Sequence, residues 1–283
     1  MPSSPYLQTA WTVQLFAGLV AFPSLLCLTA AAVAPEPPSP PPLPEPQAPF
    51  WGEIFDQPRT ADTQLGVGCL RPLEVLPDVG ADWWSQAVVP LFERPEASSA
   101  TPSLWLARGW VVAADGSDPR PLSPRGMVEV SYASAANLVF EIRPDGWFQV
   151  EYAVSGEPTL HRGWTHPSYL TLGELPLTVE TWEAFLLREW KSDSLSPLHF
   201  RTREVPHALR RGPGTDTERI TWIGADHALE PLEIRGDWMR VRVEQPSGYC
   251  MGPDEWKGQR NEGWVRWRGP DKGPWVWFYS RGC

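Results

Sequence analysis

Two stretches of similar sequence decide the fold: FEIRPDGWFQV at residues 140–150 and LEIRGDWMRV at residues 232–241. Each contains a dipeptide of Gly and Asp, Asp145-Gly146 in the first and Gly236-Asp237 in the second. These residues stand where a tight hairpin turn needs a positive φ angle. The two stretches therefore predict two β-hairpins of the same kind.

The residues that follow each turn alternate between apolar and polar, which is typical of a half-buried strand. In the second copy the pattern places Met239, Val241 and Val243 toward a core and Arg240 and Arg242 toward solvent. In the first copy it places Phe148, Val150 and Tyr152 inward and Gln149 and Glu151 outward.

Further landmarks occur in the same order around both hairpins. A Val-Pro pair precedes each one, and a Gly-Trp pair follows: Val89-Pro90 and Gly163-Trp164, then Val205-Pro206 and Gly263-Trp264. This order indicates an internal repeat, with a longer loop containing Cys250 in the second copy. The tryptophans at the landmarks are predicted to be structural, either buried or closing a barrel: Trp147, Trp164, Trp238 and Trp264.

A helical pattern separates the two copies. Residues 178–190 (TVETWEAFLLREW) are apolar at Val179, Trp182, Phe185 and Leu186, and Thr178 is the expected N-cap. A short helix joining the two halves is therefore predicted.

The sequence resembles the bacterial Src-homology-3-like domain family. The resemblance is carried by HALRRGPGTDTERI at 207–220, ALEPLEIRGDWMRVRV at 228–243 and EGWVRW at 262–267. The first copy resembles a divergent member, with PLFERPEASSA at 90–100 and GWTHPSYL at 163–170. The resemblance implies an all-β fold of two small barrels in tandem. It also implies binding of peptidoglycan or a neighbouring protein in an exported bacterial protein.

These features divide the chain into six segments. They are a signal segment (1–34, cleaved or retained as an anchor), a proline-rich spacer (35–50), an unassigned segment packing on the first barrel (51–86), a divergent barrel (87–172), a linker with the short helix (173–198), and a second barrel with its C-terminal tail (199–283). The first segment is uncharged, apolar and rich in small residues near its end, as a secretory signal is. A membrane anchor and a lipoprotein signal at Cys27 remain alternatives, as does a plain disordered terminus for the spacer.

Composition and motifs exclude several function classes. The chain has 24 Lys and Arg against 34 Asp and Glu, a net charge of −10, which disfavours a nucleic-acid coat protein. Metalloprotease, phosphate-binding-loop and serine-hydrolase motifs are absent from the sequence, and His161 and His166 are five residues apart, which suits no metal-ligand pair. Neither an enzymatic activity nor a cofactor nor a metal is predicted. One unfavoured alternative is a cysteine hydrolase that uses Cys250 within Gly248–Gly252.

The expected binding residues are arginines and tryptophans. Arg240, Arg242, Arg266 and Arg268 are predicted to form a strip on one face, which suits an anionic polymer unless nearby carboxylates neutralise it. Among the 17 tryptophans, those outside the repeat are candidates for surface contacts: Trp83, Trp84, Trp105, Trp256, Trp275 and Trp277. Of these, Trp256, Trp275 and Trp277 join the arginines in the predicted site.

Once the signal segment is removed three cysteines remain, an odd number, and export favours a disulfide between two of them. A disulfide between Cys250 and Cys283 would fasten the C-terminal tail, although pairing of Cys69 with either one stays open. The sequence thus predicts a secreted or periplasmic, non-enzymatic protein that binds peptidoglycan or another envelope polymer. The alternative is a scaffold for an envelope enzyme or a secretion component.

Overall fold

The protein is described here by a computed structural model that covers residues 36–47, 64–74, 82–96, 101–131, 134–191, 197–201, 206–245, 247, 258–270 and 273–278. About half of the residues lie in strands, which form curled antiparallel sheets, and the prediction of an all-β protein is confirmed. The signal segment, Trp256, Cys250 and Cys283 lie outside the described residues.

The first sheet has ten strands, all paired antiparallel. They are Gly68–Pro72 (β1), Val88–Leu91 (β2), Leu104–Ala107 (β3), Trp110–Ala113 (β4), Arg120–Ser123 (β5), Met127–Ser131 (β6), Ser134–Ile142 (β7), Phe148–Val154 (β8), Leu160–Thr165 (β9) and Leu177–Thr181 (β10). Their order is β10-β1-β7-β8-β5-β4-β3-β2, with β6 on β7 and β9 on β8. Phe92 and Trp164 exchange backbone hydrogen bonds of 2.8 and 2.9 Å. The pairings therefore run in a closed ring through β2, β3, β4, β5, β8 and β9.

The second sheet has seven strands. They are Leu198–Phe200 (β11), His207–Arg210 (β12), Arg219–Ile223 (β13), Ala228–Arg235 (β14), Trp238–Gln245 (β15), Gln259–Arg266 (β16) and Val276–Phe278 (β17). Their order is β13-β12-β16-β15-β14-β11-β17. Between the two sheets in sequence lies one α-helix, Trp182–Lys191 (α1).

The two hairpins expected from the sequence are β7–β8 and β14–β15, and Gly146 and Gly236 have positive φ angles of 93° and 58°. Each hairpin pairs with its next strand in the same register. Val150 stands opposite Gly163 in β9, and Val241 stands opposite Gly263 in β16. Both Gly-Trp pairs thus occupy equivalent places. The longer loop of the second copy falls between β15 and β16, as predicted.

One hydrophobic core is shared by the two sheets. Cys69 of β1 and Leu138 of β7 belong to the same buried cluster as Met239 of β15, with Trp182 and Phe185 of α1 in that cluster too. A second cluster, with Leu70, Phe148 and Val150 among its members, lies within the first sheet. The helix is therefore part of a common core, whereas the sequence predicted it as a connection between two barrels.

The proline-rich segment was expected to be a spacer that does not pack on a core. For residues 36–47 this prediction is wrong. Residues 36–47 run along the first sheet, where Leu43 packs against a buried cluster that contains Trp105. The indole N–H of Trp110 donates a 2.9 Å hydrogen bond to the Glu45 carbonyl. At least these residues of the expected spacer are docked on the sheet.

Candidate binding surfaces

Three arginines of the predicted strip, Arg240, Arg242 and Arg266, lie on the outer face of β15 and β16, beside β14. Met239, Val241 and Val243 are fully buried on the inner face, as predicted, so Arg240 and Arg242 point outward. Cross-strand pairing places Arg240 opposite Trp264 and Arg266 opposite Trp238. We call this surface the arginine face, defined by Glu230, Glu233, Arg235, Trp238, Arg240, Arg242, Glu262, Trp264 and Arg266.

Each of the four predicted arginines has a carboxylate within 4.0 Å. Two contacts are tight, Arg242 Nη1 to Glu230 Oε2 and Arg268 Nε to Asp237 Oδ1, both 2.6 Å. Nearby carboxylates therefore neutralise Arg242 and Arg268, which is the alternative that the sequence left open for the strip.

The other two arginines are held loosely. Arg240 Nε lies 3.8 Å from Glu233 and 3.7 Å from Glu262, and Arg266 Nη2 lies 3.8 Å from Asp237. Their side chains are 43% and 37% exposed. These two guanidinium groups can therefore change partner most easily.

Tryptophan rings lie beneath several guanidinium groups. Arg235 lies 5.1 Å from the Trp264 ring centre, and Arg266 lies 5.3 Å from that of Trp275. Trp222 on β13 is 49% exposed, with Arg219 4.5 Å from its ring centre. Sequence reasoning missed Trp222, because alternation in RITWI at 219–223 places it on the same face as Ile220 and so predicts an inward position.

An open cleft of about 430 Å³ lies where the two sheets meet. Its walls come from distant parts of the chain, including Val67, Phe140, Ile142, Glu183, Trp267 and Arg268. Arg268, predicted for the strip, thus lines the cleft and makes ion pairs with Asp237 and, at 4.0 Å, with Glu183. The sequence offered no signal for this cleft, because its residues come together only when the sheets pack.

Several tryptophans expected at the surface are buried. Trp83 and Trp84 are 0% exposed and Trp105 is 1% exposed. The Trp83 indole donates to the Ala135 carbonyl and that of Trp84 to Asn137 Oδ1, at 2.8 and 2.7 Å. For these three residues the prediction of surface contacts is wrong, because each side chain fills a core.

The predicted binding residue Trp277 is likewise only 3% exposed. Its ring centre lies 5.0 Å from that of Trp182 and 6.3 Å from that of Phe185. It packs in the shared core and offers no face to a ligand, so its assignment as a ligand residue is corrected. Trp275 is half-buried and keeps its place beside Arg266.

The four landmark tryptophans differ in their burial. Trp147 and Trp264 are 4% and 6% exposed, and Trp164 and Trp238 are half-buried. Trp147 packs edge-on against Phe92 with ring centres 5.3 Å apart.

Titratable side chains do not gather into a metal site in the described part of the chain. No group of three His, Cys, Asp or Glu that could hold a metal ion occurs among these residues. His207 stacks on Phe200 at 3.6 Å between ring centres, and burial lowers the pKa of its imidazole to about 4. His207 is therefore neutral at physiological pH and serves packing.

Cys69 is fully buried on β1. No disulfide bond is seen among the residues that the structure describes, and the predicted Cys250–Cys283 bridge falls outside them. Within the same described ranges, no helix is long and apolar enough to span a membrane.

Comparison with protein-family models, with curated proteins and with solved structures finds no match to this chain.

Proposed function

We propose that the protein is an exported, non-enzymatic binding protein of the cell envelope, and that its arginine face contacts peptidoglycan or another anionic envelope polymer. The observation that carries this proposal is the loose pairing of Arg240 and Arg266 on an exposed three-stranded surface.

Loosely paired arginines suit ligand exchange. Ion pairs between half-exposed side chains contribute about 0–1 kcal/mol, so a ligand carboxylate or phosphate can replace Glu262 or Asp237 at small cost. Trp275 beneath Arg266 limits the orientations of that guanidinium. An oriented guanidinium can then donate two parallel hydrogen bonds to one anionic group.

We also propose that the two sheets represent two Src-homology-3-like barrels in tandem. Support comes from the equal register of Gly163 and Gly263 against their hairpins, and from the closed ring of strands in the first sheet. The apolar segment 1–34, expected to be an export signal, supports the envelope location.

Co-sedimentation with purified peptidoglycan sacculi tests the proposal. The full chain, produced under oxidising conditions, is compared with the double variant Arg240→Gln/Arg266→Gln across a salt series. We expect retention that weakens with salt, and a loss of about tenfold or more in the double variant.

Arg120→Gln and its combination with Arg143→Gln are the matched controls. Arg120 lies on β5 and Arg143 in the β7–β8 turn of the first sheet, their side chains are 45% and 42% exposed, and each pairs with a carboxylate. The controls remove the same charge and should be retained like the unsubstituted chain. If no form is retained at any salt concentration, binding to the wall is excluded.

A second candidate function, a scaffold for an envelope enzyme or secretion component, is favoured by one observation. The chain already holds a proline-rich peptide, its own residues 36–47, against Trp110. Retention by purified wall alone separates the two candidates, because a scaffold needs a protein partner.

A further inference from the structure

The proline-rich tract, residues 36–47, contacts the first sheet along one edge. Pro38, Pro41, Pro44 and Gln47 are half-buried at intervals of three residues, together with Leu43, and the remaining residues of the tract are exposed. A polyproline-II helix has three residues per turn, so this period is that of such a helix lying lengthwise on a surface.

The surface beneath the tract is an apolar groove on β2, β3 and β4. A cluster separate from the main cores forms it: Val88, Trp105, Ala107 and Val112 are buried, and Trp110 and Leu172 are partly buried. Leu43 packs against this cluster. Without the tract, Trp105 and its neighbours would present an apolar patch to water.

Two hydrogen bonds match the chemistry of a proline-rich peptide. Proline has a carbonyl but no N–H, so such a peptide mainly offers acceptors. Trp110 Nε1 donates to the Glu45 carbonyl at 2.9 Å, and the Gln47 N–H donates to the Arg108 carbonyl at 2.9 Å. The groove thus supplies a hydrogen-bond donor to a carbonyl of the tract. It also supplies an acceptor to the backbone N–H of Gln47, a residue that is not proline.

Two glycines leave room for the tract. A Cβ atom on Gly109 would lie 2.8 Å from Gln47 Cβ, and one on Gly116 would lie 3.2 Å from Pro41 Cβ. Both glycines have positive φ angles, 85° and 84°. The turns that border the groove are therefore shaped to admit the peptide backbone closely.

We propose that this groove is a recognition site for proline-rich segments in the polyproline-II conformation, and that residues 36–47 are its internal ligand, which a proline-rich segment of a partner protein replaces. The inference rests on the scaffold candidate and is independent of the arginine face. Exchange is feasible because, among the described residues, the tract is held by one leucine, one edge of prolines and two hydrogen bonds. An internal ligand acts at an effective concentration in the mM range, so it limits binding to partners that are abundant or multivalent.

Fluorescence anisotropy with a labelled peptide tests the inference. The probe is a 12-residue peptide with the sequence of residues 36–47, titrated with the full chain and with its Leu43→Ser variant, which loosens the internal tract. We expect the peptide to bind the variant at least about tenfold more tightly than the unsubstituted chain, because the internal ligand no longer competes effectively.

Matched variants locate the site. Adding Trp110→Phe to Leu43→Ser keeps a ring but removes the indole donor, and should weaken the peptide by about fivefold or more. Adding Trp222→Phe instead makes the same change at an exposed tryptophan on β13 and should leave binding unchanged. Thermal melting by circular dichroism verifies that each variant is folded.

Several results would overturn the inference. The first is that the peptide does not bind the Leu43→Ser chain at about 1 mM. The second is that it binds this variant and the unsubstituted chain equally. The third is that adding Trp110→Phe leaves its affinity unchanged. Dimerisation of the unsubstituted chain that Leu43→Ser abolishes would also overturn it, since the tract would then occupy a second copy. Sacculus binding is a separate measurement, so failure of either proposal leaves the other standing.

Discussion

At the scale of single residues, a side chain's environment can differ from the one that strand alternation predicts. Glu151 was expected to face solvent, but it is 3% exposed and lies 3.2 Å from Arg162 Nε. Arg162 in turn lies 3.4 Å above the Phe140 ring centre. Alternation predicts which residues share a face of β8, but it cannot predict that both faces are covered.

Glu180 is the clearest case of a carboxylate held by two arginines. Its Oε2 lies 2.7 Å from Arg71 Nε, and its Oε1 lies 3.0 Å from Arg188 Nε. Burial raises the pKa of Glu180, but the hydrogen bonds and charges of Arg188 and Arg71 outweigh it, so the pKa lies below the ordinary value of 4.5.

Replacing Glu180 with Gln should therefore destabilise the fold. The change leaves Arg71, which is only 11% exposed, without its counter-charge, so we expect the free energy of unfolding to fall by about 3 kcal/mol at pH 7. Urea denaturation measures this. Glu218→Gln breaks an exposed pair with Arg211, in which both side chains are 67% exposed, and should change stability by less than about 0.5 kcal/mol.

The same variant has a defined pH dependence. Because the folded state lowers the pKa of Glu180, its stabilisation is present above pH 4.5 and is lost as the pH falls through the folded pKa. The stability difference between the unsubstituted chain and Glu180→Gln should therefore shrink below pH 4.5. A difference that is constant down to acid pH would contradict this assignment.

At the scale of elements, strand pairing decides where α1 begins. The sequence predicted a helix from residue 178, but Thr178 pairs with Arg71 and Thr181 pairs with Gly68, which extends β10 to Thr181. The β-branched residues Thr178, Val179 and Thr181 suit a strand, and pairing with β1 overrides the helical spacing of the apolar residues. The helix and its buried residues Trp182, Phe185 and Leu186 were predictable, whereas its start depended on a partner strand about 110 residues away.

The structure therefore moves the N-cap from Thr178 to Thr181. Thr181 Oγ1 accepts a 3.2 Å hydrogen bond from the Ala184 N–H. Thr181→Val removes this acceptor but keeps the branched shape. It should lower the free energy of unfolding, measured by urea denaturation, by about 1 kcal/mol. Thr178→Val, the matched change on β10, should be nearly neutral. If Thr178→Val lowered the free energy of unfolding more than Thr181→Val, Thr178 would be the N-cap, as predicted from the sequence.

The proline tract shows a similar limit at this scale. Its composition indicated an extended segment, and residues 36–47 contain neither helix nor strand. Its docking could not be predicted, since the groove is formed by Trp105 and Trp110, which lie about 60 residues further along the chain. The apolar character of these tryptophans was visible, but their common face required the β3–β4 pairing.

At the scale of the whole molecule, the two halves are joined by packing. The repeated hairpins are both formed and pair with their next strands in the same register, but the two sheets differ in size, with ten strands and seven strands. The shared core was not predictable, because Cys69, Leu138 and Met239 each belong to an ordinary strand pattern and nothing in those patterns specifies a partner. Residues 34–283 accordingly form one compact unit.

A shared core predicts that the two sheets unfold together. Met239→Ala removes a fully buried side chain from the second sheet and should cost about 3 kcal/mol. Native-state hydrogen exchange should then show reduced protection of amides in β7 as well as in β15, because both strands contribute to one cluster. Leu138→Ala is the reciprocal change on β7 and should lower protection in β15. If each substitution affected only its own sheet, the halves would be independent barrels, and the packing of α1 between them would contribute little to stability.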